Sequence, residues 1–183
     1  MLQTRYLAAP TFDSFVEAAS ANKQLWLAAY KLARVPDSFI ERVRALPGQV
    51  HLLVLNEDWC GDSVNTLPTI ARLVSLVPEK VGMRILGRDA NPDLMDAHLT
   101  GTSRSIPVVM VLDGSHVERG WWGPRPRELQ AWAIGPGRAL EKADRYREIR
   151  RWYARDRGLT TLEEIVSLME RAAANTAVRS RES

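Results

Sequence analysis

Residues 56–63 read NEDWCGDS, and this stretch decides how the chain folds. It follows an apolar run at residues 50–55 and precedes a helical pattern that begins near Val64. A short β-rich run that enters a Gly-containing turn and then a helix predicts that Cys60, the only cysteine, lies at a helix N-terminus. Unpaired N–H groups and the helix dipole favour an anion at that position, so it favours a reactive thiolate, whereas the neighbouring acids oppose ionisation.

Residues 105–111 read SIPVVMV, which is typical of a strand with a proline at its start, where the missing N–H does least harm to a sheet. Together, the two stretches resemble the thioredoxin family. Trp59, Cys60 and Gly61 match the WCGxC active-site turn of that family, and Pro107 matches the cis-proline that faces the cysteine. The resemblance covers about residues 50–133.

The sequence departs from the thioredoxin pattern in and before the turn. Ser63 stands where the family carries its resolving cysteine, and Val54 stands where it carries a buried acid. Asp62 replaces the usual proline within the turn. The chain is therefore most similar to a bacterial branch of thioredoxin-like proteins that carries a WCGD motif.

The predicted elements follow the order strand, helix, strand, helix, hairpin and helix, which is the order of the thioredoxin core. We therefore expect an α/β protein with a thioredoxin-like fold: a central mixed sheet with helices on both faces, plus extra N- and C-terminal helices. Three helices are predicted in an N-terminal extension at residues 1–48, and the core at residues 49–134 ends with a helix around Leu129. Residues 135–183 form a C-terminal helical extension that frays from residue 175, and the whole is one globular domain.

Composition excludes several classes of protein. One cysteine rules out an intramolecular disulfide and a cysteine-based zinc site, and the histidines lack the spacing of metal ligands, so no metal is expected. A net charge of +3 does not support nucleic-acid binding, and the apolar runs are far shorter than the ~20 residues of a membrane helix. The lone cysteine and the absence of a signal-like N-terminus predict a cytoplasmic protein without nucleic-acid or membrane partners.

Ser63 decides which reaction is open to Cys60. A serine cannot form a disulfide, so a mixed disulfide on Cys60 must be resolved by an external thiol such as glutathione. The prediction is monothiol thiol–disulfide exchange with a disulfide-containing or glutathionylated protein, or with a small thiol, and no other cofactor. Two other interpretations of Ser63 stay open: a polar residue of the first helical turn, or an engineered replacement of a cysteine.

The predicted catalytic residues are Cys60, Ser63 and Asp62. Asp62 either relays protons to the thiol or complements the helix dipole. The predicted substrate-binding residues are neighbours of the thiol in the turn or lie at the start of the strand predicted at residues 105–111: Trp59, Gly61, Arg104, Ile106 and Pro107. The backbone of Ile106 and Pro107 would pair with an extended substrate, and Arg104 would offset the acids near the thiol.

Two alternatives to exchange chemistry remain. The first is a binding or scaffold module that uses the same groove without turnover and has an unreactive Cys60. The second is a protein similar to monothiol glutaredoxins, whose CGxS turn can hold an iron–sulfur cluster with glutathione, although Trp59 and Asp62 argue against it. The added terminal helices are expected to narrow the approach to Cys60.

Overall fold

The computed structural model describes residues 1–179. The helices and strands follow in chain order: α1 (Leu2–Ala8), α2 (Phe12–Ala18), α3 (Lys23–Leu32), α4 (Asp37–Arg44), β1 (Val50–Asn56), α5 (Gly61–Leu76), β2 (Val81–Gly87), α6 (Pro92–Ala97), β3 (Val108–Asp113), β4 (Glu118–Trp122), α7 (Arg127–Ile134), α8 (Lys142–Asp156) and α9 (Leu159–Arg179). A 3₁₀ turn, Pro136–Ala139, joins α7 to α8. In this part of the chain, no helix has both the length and the apolar content to cross a membrane.

The sheet is mixed, with the strand order β2-β1-β3-β4. Strand β1 pairs parallel with β2 and antiparallel with β3, which also pairs antiparallel with β4. The register places Val54 between Ile85 and Val109. The predicted α/β class and thioredoxin-like fold are confirmed, because the parallel pair precedes the antiparallel hairpin as expected.

Side chains of β1 alternate between two apolar clusters, because successive residues of a strand point to opposite faces. Leu52 and Val54 belong to the larger cluster, which α2–α5 and α9 cover. Leu53 and Leu55 belong to the smaller one, which includes residues of α1 and α6. Helices therefore cover both faces, and Cys60 belongs to the smaller cluster.

The N-terminal segment contains four helices instead of the predicted three. Helix α1 was missed because its sequence carries no capping side chain and buries a single residue, Tyr6. Its position is set by tertiary contacts: the Tyr6 ring lies 4.8 Å from the His51 ring and 5.1 Å from the His116 ring. No local pattern contains this information.

The helix that completes the main core is also different from the predicted one. Leu129 and Ala133 of α7 form a separate small cluster with Ile149 and Tyr153 of α8. Helix α9 packs on the sheet instead, and its contribution to the larger cluster is Leu162, Ile165, Val166, Met169, Ala172 and Ala173. The larger apolar cluster therefore extends beyond residue 134 into α9, and α7 and α8 lie between β4 and that helix in the chain.

The chain is predicted to fray from residue 175, but the first part of that segment, residues 175–179, is helical. Helix α9 continues through Arg179. The remainder of that prediction, residues 180–183, lies outside the described residues.

Candidate functional site

Cys60 is the N-cap residue of α5, as the sequence predicts. Its N–H donates to the carbonyl oxygen of Glu57 at 3.2 Å, and its own carbonyl accepts the first bond of the helix from Val64 at 3.1 Å. The residue is 7% exposed. The turn therefore holds the thiol rigidly at the start of the helix and nearly out of water.

Burial decides the protonation state of Cys60. The thiol donates a hydrogen bond to the carbonyl oxygen of Ile106 at 3.4 Å. Burial raises the pKa of the Cys60 thiol, hydrogen bonds from the hydroxyl and N–H of Ser63 oppose this rise, and the charge of Asp62 adds to it. The helix terminus and Ser63 thus fail to outweigh burial, and the resting group is a thiol.

Ser63 is fully buried in the first turn of α5. Its hydroxyl makes no hydrogen bond of normal geometry with any of the described residues, so its effect on the pKa of Cys60 comes from proximity to the sulfur. The hydroxyl is near enough to the sulfur of Cys60 to favour the charged form. Ser63 is therefore a buried donor beside the sulfur of Cys60, and its side chain does not face solvent.

Asp62 is held by residues from the C-terminal half of the chain. Arg125 binds both of its carboxylate oxygens, at 2.9 and 2.6 Å, and the Tyr153 hydroxyl donates to one of them at 3.0 Å. The side chains of Asp62 and Arg125 are only 11% and 16% exposed, so this is a largely buried ion pair. Burial, with the charge of Asp62, raises the pKa of Tyr153, which therefore remains a protonated donor.

Neither Arg125 nor Tyr153 was among the predicted site residues. They lie 63 and 91 residues from Asp62 in the chain. The available signal was the connector at residues 123–126, GPRP, which places Arg125 between two prolines and so limits where its backbone can go.

The connector at residues 123–126 also lies close to the loop that contains Ile106 and Pro107, called the proline loop below. The peptide bonds Ile106–Pro107 and Gly123–Pro124 are both cis, the first as the family resemblance predicts. Gly123 has φ of 129°, and a Cβ atom there would lie 2.0 Å from the carbonyl oxygen of Pro107. Glycine is therefore required for the connector to pass beside the loop that faces Cys60.

Cys60 lines a cavity of about 510 Å³. Predicted site residues on its wall are Trp59, Cys60, Gly61, Asp62, Arg104 and Ile106, while Ser63 and Pro107 are not part of it. Leu25 from α3 and Tyr146, Ile149 and Arg150 from α8 complete the wall on other sides. Helices α3 and α8, which precede and follow the sheet in the chain, thus both contribute to the approach to Cys60.

The rim of the cavity beside Trp59 carries two arginines. The guanidinium of Arg88 lies 5.1 Å from the centre of the Trp59 ring, and that indole is about half exposed. Arg104 makes two bonds to the carboxylate of Asp96, both at 2.7 Å. Because that charge is already paired, Arg104 does not take the predicted role of offsetting the acids around the thiol.

Asp58 ties the active-site turn to the N-terminal helices. Its carboxylate accepts from the N–H groups of Ser20 and Ala21 at 2.7 and 2.8 Å, and its carbonyl accepts from the Trp26 indole at 3.0 Å. The α2–α3 segment therefore fixes the turn that carries Cys60.

The histidines serve packing and pairing. His51 stacks on His116 with ring centres 4.2 Å apart, and His98 contacts Glu118 at 2.9 Å. Across the described chain, His, Cys, Asp and Glu form no group of three or more that could hold a metal ion.

Known structures and sequence families resemble this chain across most of its length. A protein of unknown function from Pseudomonas aeruginosa has a TM-score of 0.73 at 22% identity, covering 92% of this chain and 96% of that one. An HIV epitope scaffold has a TM-score of 0.71 at 20% identity with the same coverage. At identities of 22% and 20%, these two similarities show a shared fold alone.

No curated protein sequence matches the chain. A family model described as Thioredoxin matches residues 9–154, a range that includes the Cys60 turn, the Pro107 loop and the Arg125 connector. Since this range is most of the chain, the protein belongs to the thioredoxin family.

Proposed function

We propose that this protein performs monothiol thiol–disulfide exchange, with Cys60 as the nucleophile. The observation that carries the proposal is the position of the Cys60 thiol: it caps a helix, lines an open cavity and points at the carbonyl of Ile106. Substrates would be disulfide-containing or glutathionylated proteins or small disulfides. Because the thiol must stay reduced between turnovers, we also propose a cytoplasmic location.

The reaction consists of two exchanges. The Cys60 thiol loses its proton to solvent, and the thiolate attacks one sulfur of the substrate disulfide. A Cys60–substrate disulfide forms, the substrate S–S bond breaks, and the second sulfur leaves as a thiolate that takes up a proton. An external thiol, as its thiolate, then attacks the mixed disulfide, forms a new disulfide with the substrate sulfur and releases the Cys60 thiolate.

Neighbouring groups have separate roles in this scheme. Ser63 donates to the Cys60 sulfur when it is charged, but it supplies no second thiol, so the mixed disulfide waits for an external one. The wall formed by Trp59, Gly61 and Ile106 positions the substrate disulfide, with Pro107 fixing the loop beneath it. The carboxylate of Asp62, paired with Arg125, orients the turn.

The raised pKa of Cys60 gives the reaction an alkaline dependence. The thiolate fraction grows as the pH rises towards the pKa of the folded protein, so the rate of attack increases above neutral pH and falls below it. The rate of attack would still increase with pH when a substrate seals the cavity, because exclusion of water disfavours the thiolate and so raises the pKa of Cys60 further.

The test is the rate of Cys60 alkylation between pH 6 and pH 11, followed by intact mass on folded protein. The expected result is a single titration with a midpoint above the ~8.5 of a free thiol. Ser63→Ala should move the midpoint upward, because the thiolate loses a donor. Treatment with a disulfide should then give one stable adduct, whereas Ser63→Cys should release the adduct by internal attack.

Labelling that occurs solely after unfolding, or an absence of any adduct at alkaline pH, would refute exchange. That outcome favours a second candidate, a binding module without turnover, which the 7% exposure and raised pKa of Cys60 support. In that case Cys60→Ala should retain partner binding.

A further inference from the structure

The wall of the Cys60 cavity is basic. Four arginines line it, Arg88, Arg104, Arg125 and Arg150, against the single carboxylate of Asp62. Guanidinium groups are suited to carboxylates because their N–H donors match the two oxygens in a planar fork. The chemistry of the wall therefore favours a negatively charged ligand.

Arg150 is the arginine whose charge is available. The other three already have acid partners at 2.6, 2.7 and 2.8 Å. Among residues 1–174, whose side chains the structure describes, the guanidinium of Arg150 has no acid or hydrogen-bond partner, and its side chain is exposed. It lies one residue after Ile149, a buried residue that holds this turn of α8 in place.

The size of the cavity indicates what kind of anion it accepts. About 510 Å³ is within the range of small-molecule sites, roughly 300–1,000 Å³. The exposed indole of Trp59 and the ring of Tyr146 provide apolar surface for the remainder of such a ligand. A compact molecule can thus touch the sulfur of Cys60 and the guanidinium of Arg150 within one cavity.

We propose that the substrate of Cys60 is a small disulfide that carries carboxylate groups, and that Arg150 binds a carboxylate and determines this specificity. The inference rests on the proposed exchange reaction and narrows it to an anionic substrate class. The bonds that form and break are those of the two thiol–disulfide exchanges described above, because the carboxylate binds Arg150 and takes no part in the reaction.

The test compares three symmetrical disulfides that differ mainly in charge: 3,3′-dithiodipropionate, 2-hydroxyethyl disulfide and cystamine. The rate of adduct formation on Cys60 is measured by intact mass near pH 9. Each rate is divided by that of the same disulfide with 2-mercaptoethanol, a thiol without other charged groups, which removes differences in intrinsic reactivity. The anion should react about two- to fivefold faster than the neutral disulfide, since exposed ion pairs have this magnitude, and the dication should be slowest.

Arg150→Gln should remove the preference for the anion over the neutral disulfide. Arg147→Gln is the matched control, because Arg147 lies on the same helix, is exposed and is not part of the cavity wall. It should retain the preference. Raising the salt concentration to about 0.5 M should reduce the preference in the wild-type protein, because salt screens exposed charges.

An unchanged preference in Arg150→Gln, or equal normalised rates for the three disulfides, would overturn the assignment. If none of them forms an adduct, the exchange reaction itself fails, and binding is tested separately with Cys60→Ala and 3,3′-dithiodipropionate. A saturable shift of the Trp59 indole N–H signal in NMR that Arg150→Gln abolishes would support the anion site, and no shift would refute it.

Discussion

Gly123→Ala should be among the most damaging single substitutions in this protein. The connector runs so close to the proline loop that the added methyl group would meet the carbonyl oxygen of Pro107 at 2.0 Å. That oxygen belongs to the backbone, so neither a rotamer change nor a small side-chain shift can relieve the contact. The residue is also at φ of 129°, a region that side-chain-bearing residues rarely adopt.

The two costs can be estimated separately. The backbone conformation costs an alanine about 1–3 kcal/mol, and forcing a methyl group into a filled space costs about another 1–3 kcal/mol. We therefore expect a loss of about 2–6 kcal/mol in the free energy of unfolding. Domains of this size have roughly 5–15 kcal/mol in total, so the variant would retain little stability.

Urea unfolding of three variants separates the contributions. Gly101→Ala tests backbone strain alone, because Gly101 has φ of 62° and open space around it, and should cost about 1–2 kcal/mol. Gly48→Ala has open space and no positive φ, so it should change stability by less than about 0.5 kcal/mol. A Gly123→Ala variant no less stable than Gly101→Ala would refute the close approach to Pro107.

The same substitution should affect the thiol. Relief of the contact shifts the backbone at Gly123 or at Pro107, and the carbonyl of Ile106 next to Pro107 is the acceptor of the Cys60 thiol. Folded Gly123→Ala should therefore be alkylated faster at Cys60 than wild type at the same pH. An unchanged rate with a fully folded protein would show that the loop is not displaced.

Three further predictions follow from the ion pairs. Asp62→Asn should lower the midpoint of Cys60 alkylation, because the carboxylate charge adds to the rise in the pKa of the thiol; a higher midpoint would contradict this. Tyr153→Phe should reduce the free energy of unfolding by about 1.5–3 kcal/mol, measured in urea, since a hydrogen bond to a carboxylate is lost; no loss would mean that the contact is weak. Glu118 raises the pKa of His98 in the folded protein. The stabilisation from this pair is therefore complete below the pKa of a free imidazole, ~6.5, and is lost as the pH rises through the higher pKa of His98 in the folded protein. The loss of stability in Glu118→Gln should accordingly be larger at pH 6 than at pH 9, and an equal loss at both would refute the linkage.

The central part of the fold could be predicted because its signals are local. A continuous apolar run, a Gly-containing turn and a helical pattern are neighbours in sequence, so β1, Cys60 and α5 follow from residues 50–76. The antiparallel hairpin of β3 and β4 is equally local. The cis bond before Pro107 came from the family resemblance instead.

The parts that failed depend on partners distant in sequence. Asp62 could pair with any of 25 basic residues, and nothing near it indicates Arg125. The sign of the Cys60 pKa shift depends on burial, which the packing around Ile106 creates. Both α7 and α9 have apolar faces, and the sequence order favoured the helix that directly follows the hairpin, although α9 is the one on the sheet.

The late position of α9 has a consequence for synthesis of the chain. When a ribosome has produced the turn around Cys60 and all four strands, one face of the sheet still lacks α9, which covers it together with α2–α5. The ion pair between Arg42 and Glu170 spans 128 residues, so the early helix α4 also waits for this last element. Exposed apolar strands attract chaperones and favour aggregation. The nascent protein therefore exposes part of its apolar core until α9 leaves the exit tunnel, although every residue that lines the Cys60 cavity has been synthesised before α9.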